Sequence, residues 1–77
     1  MSEDEKLLDH FKAQAEAAYD AMYEAHSSSG ASACYSDAKE FFREAIIVAR
    51  RLGDEEEADR ILVRLAHVKA VFRSQFT

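Results

Sequence analysis

The sequence predicts an all-α fold, a three-helix antiparallel bundle that forms a single small helical domain over residues 1–77. Three observations carry that prediction. Apolar residues recur at steps of three and four along most of the chain, the period of a helix with one buried face. Proline is absent and there are only two glycines, Gly30 and Gly53, so helix breakers are confined to two places. Hydrophobic residues make up 48% of the chain and charged ones 32%, a balance that suits a small bundle and not a disordered segment. The helices are expected at about 3–27, 33–52 and 54–75, with no linker and no second domain.

For the first helix, Ser2 and Glu5 form a capping-box pattern in which each side chain satisfies the other's free backbone N–H. Leu7, Leu8, Phe11, Ala15, Ala18, Tyr19, Met22 and Ala25 then fall on an arc of roughly 120°, which is one buried face. The run Ser27 to Ser32, with Gly30 inside it, interrupts the pattern and reads as a flexible loop, because serine competes for its own backbone and glycine adds chain entropy. The second helix carries Tyr35, Ala38, Phe42, Ala45, Ala49 and Leu52 at alternating steps, a heptad seam widened by Phe41, Ile46 and Val48. At its end Gly53 suits a left-handed cap, and Asp54 with Glu57 repeats the capping-box pattern. So short a joint makes helices two and three antiparallel neighbours. The third helix directs Ala58, Ile61, Leu62, Leu65, Val68, Phe72 and Phe76 inward. Its charge order, Glu55 to Glu57 first and Lys69 and Arg73 last, follows the helix dipole.

From Tyr35 onward the chain resembles the second helix of a tetratricopeptide repeat. The resemblance rests on Tyr35-x2-Ala38-x3-Phe42-x2-Ala45 and the Ala49-Arg50-Arg51-Leu52-Gly53-Asp54 turn, with Leu62-x2-Leu65-Ala66 opening a further helix. It covers about half the chain and lacks the family's tryptophan and closing proline. The resemblance implies a helical hairpin and binding of a peptide or protein; no functional residue of the family carries over.

Size and composition exclude most chemistry. A domain this small buries only about 60% of its unfolded surface and has no bulk for a large substrate cavity, so it reads as a non-enzyme without cofactor. None of His10, His26 and His67 has a glutamate three residues before it, which excludes the Glu-x-x-His pattern of a bundle metal site. No metal or catalytic residue is expected. Cys34 reads as a small buried hydrophobe in preference to a nucleophile. The net charge of -5 weighs against nucleic acid. With one cysteine, an acidic start at Met1 to Lys6 and no long apolar run, the expectation is a cytoplasmic protein without a membrane partner.

Function then falls to surfaces that break the apolar pattern. Ala13, Ala17 and Ala21 form a small-residue ridge on the first helix suited to self-association, beside the like-charged row Glu16, Asp20 and Glu24. Ile47 lies opposite the seam of the second helix, ringed by charge, as an interface anchor would. Val71 is placed similarly on the third helix, where Arg60, Arg64, His67 and Arg73 form a basic stripe. Residues 60–73 hold four cations and no acid, whereas residues 1–27 hold seven acids against two lysines. The reading is a non-catalytic interaction module that binds another protein or a second copy of itself. The alternative is a nucleic-acid-associated regulator using the stripe from Arg60 to Arg73.

Overall fold

The structure, a computed structural model, describes residues 2–76 and contains three helices: α1 (Glu3–Glu24), α2 (Ser28–Arg51) and α3 (Glu55–Gln75). No strand occurs among the described residues, and the three-helix bundle is the architecture the periodicity predicts. α2 is the central helix, packed on α1 along one side and on α3 along another. α1 and α3 stand apart on either side of it. The molecule measures 39 × 19 × 12 Å, a cross-section flattened by that separation.

Alanine sets how closely the helices approach. Ala15, Ala38, Ala45, Ala49 and Ala58 are fully buried at the contacts, so large side chains from the facing helix have somewhere to go. Met22, Val48 and Val68 are the largest side chains wholly removed from solvent, and Leu8, Tyr19, Phe42, Ile46, Ile61 and Leu65 complete the core. Toward the C-terminal end of α3, the Tyr35 and Phe72 rings stack at 3.9 Å and fasten α2 to α3. Leu62, expected inward, is instead partly exposed: it lies a quarter turn from Ile61 toward the outer side of α3, beyond the reach of α2.

The two joints differ from each other and one differs from expectation. At the second joint Gly53 has φ of 77°, the Gly53 N–H donates to the Arg50 carbonyl and the Asp54 N–H to the Ala49 carbonyl, both at 2.9 Å. That pair of bonds is a complete Schellman motif. Asp54 then caps α3 through its Oδ1, which accepts from the Glu57 N–H at 3.1 Å, but the Glu57 side chain does not return the bond, because it is turned toward α1.

The first joint is not a six-residue loop. α1 ends at Glu24, three residues before the expected end at 27, and α2 begins at Ser28, five residues before the expected start at 33. Ser27 is the cap, its Oγ accepting from the Gly30 N–H at 3.0 Å while its carbonyl accepts from Ala31. Serine is favoured at a helix start for the same reason it is favoured in loops, its hydroxyl bonding to nearby backbone N–H groups. Composition alone therefore did not separate the two readings.

Candidate interaction surfaces

Lys12 and Glu16, one turn apart on α1, face Glu57 and Arg64 on α3 across the gap between the two helices. Lys12 pairs with Glu57, and Arg64 forks onto both Glu16 oxygens at 2.9 and 2.7 Å. The geometry of that second pair is bidentate, the stronger form of a guanidinium–carboxylate contact. Arg64 also lies 4.9 Å over the Tyr19 ring, and the Tyr19 hydroxyl reaches His67 Nε2 at 3.5 Å. Beneath the pairs is a cleft of about 220 Å³ with Phe42 and Ile61 at its floor. The ion pairs cross it from wall to wall, so its charged side chains are already committed to one another.

The electrostatics follow. The Lys12 ammonium holds the Glu57 carboxyl below its ordinary range, helped by Arg60 and opposed by burial. Hydrogen bonding to Tyr23 and burial push the Tyr19 phenol above its ordinary range. Each is a consequence of pairing inside the fold, and each group sits in the clasp that joins α1 to α3.

The basic stripe predicted on α3 is thus largely occupied. Arg60 bonds Glu57 at 2.9 Å and lies 3.5 Å from Glu56. Arg64 is bound to Glu16, one of the three acids whose mutual repulsion the sequence left unrelieved. His67 is exposed but touches Tyr19 edge-on, and Arg73 is exposed near the end of α3. Val71 is not an exposed anchor. It is half-buried against the core, because it shares its side of α3 with Arg64, and that side is turned toward α1.

Outward surfaces fare differently. Ile47 is 54% exposed on the outer side of α2, among the exposed residues Glu40, Arg43, Glu44, Arg50 and Arg51. Ala13 and Ala17 are exposed while Ala21 is half-buried, so the ridge on α1 is open over its first two members. The residue the sequence reading passed over is Val63, at 71% the most exposed large apolar side chain among those described. With Leu62, Ala66 and Ala70, all exposed, it makes a second apolar stripe on α3, facing away from both other helices. Its signal was available: Val63, Ala66 and Ala70 recur at three and four, out of phase with the core set.

Cys34 is half-buried and packs against the core. Among the described residues no cluster of His, Cys, Asp or Glu is placed to hold a metal ion, and no helix is long and apolar enough to cross a membrane. Neither a family model, a curated protein nor a solved structure matches the chain.

Proposed function

We propose that this chain is a non-catalytic protein-interaction module that binds through exposed helix faces. The observation that supports it most is the unequal use of the surface. Charged side chains that point between helices are consumed in internal ion pairs, while Ile47 and Val63 stand in solvent on the outward sides of α2 and α3. Apolar residues ringed by polar ones are how small interfaces concentrate their binding energy. The tetratricopeptide resemblance from Tyr35 to Asp54 adds the expectation of a peptide or protein ligand. A nucleic-acid role is less well supported, since Arg60 and Arg64 are both engaged by carboxylates.

A photo-crosslinking residue placed at position 47 or 63 in cells tests the reading. The expected result is an adduct of discrete mass from one or both positions and none from exposed positions 26 and 54, which lie in the joints between the helices. Absence of any adduct from 47, 63 and the Ala13–Ala17 ridge would overturn it.

A further inference from the structure

The three helices are not held to one another equally. α2 packs more extensively on α1 than on α3, and α1 meets α3 through the ends of long side chains. Away from α3, the α1–α2 hairpin is closed by Phe11 and Phe41, whose rings lie 6.4 Å apart. α3 buries Ala58, Ile61, Leu65 and Val68, a single line of residues at steps of three and four. The joints follow the same inequality. A Cβ on Gly30 would meet Ser27 Oγ at 3.3 Å and the Ala25 Cβ at 3.4 Å, so the first joint turns in close packing. A Cβ on Gly53 would have nothing within 4 Å, so the backbone of the second joint can pivot there without displacing a neighbour. α3 also carries helix-stabilising contacts of its own. Asp54 caps it, and Arg60 pairs with Glu56 and Glu57 inside it. It can therefore leave α2 with its turns formed.

We propose that α3 is a hinged cover that undocks as a unit about Gly53 while α1 and α2 stay paired, with Lys12–Glu57 and Glu16–Arg64 as its latch. Opening uncovers the aromatic face that α3 closes on the hairpin: Tyr35 where Phe72 stacks, Phe42 where Ile61 lies, and Tyr19 where His67 touches it. Partly exposed ion pairs weaken as salt rises, so ionic strength sets how often the cover opens.

Native-state hydrogen exchange of the full chain by NMR, under conditions where the rate follows the opening equilibrium, tests the cover. After correction for intrinsic rates, the amides of Ile61, Leu65 and Val68 should exchange at least about tenfold faster than those of Ala15, Met22, Ala45 and Val48. Phe41→Leu weakens a contact that persists when α3 undocks. It should speed the hairpin amides about fivefold and leave the α3 amides unchanged. Lys12 and Arg64 are 45% and 41% exposed, so Lys12→Met and Arg64→Gln should stay folded. Each should speed both sets about two- to fivefold, because the latch is broken in every open form. Raising the salt should speed the α3 amides of the parent, and should do so less in the chain carrying both substitutions. Equal protection in all three helices overturns the cover, as do α3 amides that respond to Phe41→Leu as the hairpin does. α3 amides indifferent to both latch substitutions, or a salt response undiminished in the doubly substituted chain, overturn the latch.

Discussion

The seam between α1 and α2 and the seam between α1 and α3 are made of different materials. Along the first, small buried alanines let Leu8, Met22, Phe42 and Val48 interlock with no polar side chain buried among those described. Along the second, the helices stand apart and are joined by Lys12–Glu57, Glu16–Arg64 and the ring contacts of Tyr19 with His67 and Tyr23 with Phe76. Apolar contact is non-directional and tied to area, whereas the polar clasp depends on geometry, salt and pH. The first seam therefore carries stability and the second carries the relative placement of α1 and α3.

Phe42 tests that division most severely. It is only 3% exposed and lies under the cleft, against α1 on one side and Ile61 on the other. Phe42→Ala should cost about 3–5 kcal/mol, close to all the stability expected of a core this small, and should broaden or abolish the urea transition followed by circular dichroism. A variant with an unchanged midpoint would mean that the apolar seam is not what holds the bundle.

The polar clasp should give a much smaller number. In a double-mutant cycle of Glu16→Gln and Arg64→Gln, the coupling energy should be about 0.5–1 kcal/mol in low salt and should shrink as salt rises, because both side chains are some 40% exposed. A coupling above about 2 kcal/mol would blur the contrast between the seams by making the clasp a principal source of stability.

The contrast also explains what could be read from the sequence. Periods of three and four, the Schellman glycine at 53 and the caps at Ser2 and Asp54 are local, and each appears where the pattern places it. The Ser27 cap was misread because a serine run favours a helix start and a loop by the same hydrogen bond. Glu16 and Arg64 are 48 positions apart, and nothing in a helical wheel says which long side chains will meet across a gap. Val71 was misplaced for a related reason: the wheel shows which residues avoid the seam with α2 but not that the side of α3 carrying Arg64 and Val71 is turned toward α1. Val63, by contrast, was legible in the sequence as the start of a second three-and-four series with Ala66 and Ala70.

The smallest effect is also the most selective for the clasp. Glu57 is 12% exposed and its carboxyl is held down chiefly by the hydrogen bond from Lys12. A carboxylate whose folded value lies below its unfolded value, about 4.3, binds fewer protons in the native state. Its contribution is complete above that unfolded value and is lost as pH falls through the folded one. Glu57→Gln should thus be less stable than the parent at pH 7, by roughly half a kcal/mol or less, with the difference vanishing in acid. In a Lys12→Met background the same substitution should cost less at pH 7 and depend less on pH, since Arg60 alone would then hold the carboxyl down. Urea midpoints of the four chains between pH 3 and 7 would measure this. An unchanged pH dependence without Lys12 would place the effect within α3 and leave Glu16–Arg64 as the main electrostatic link between the outer helices.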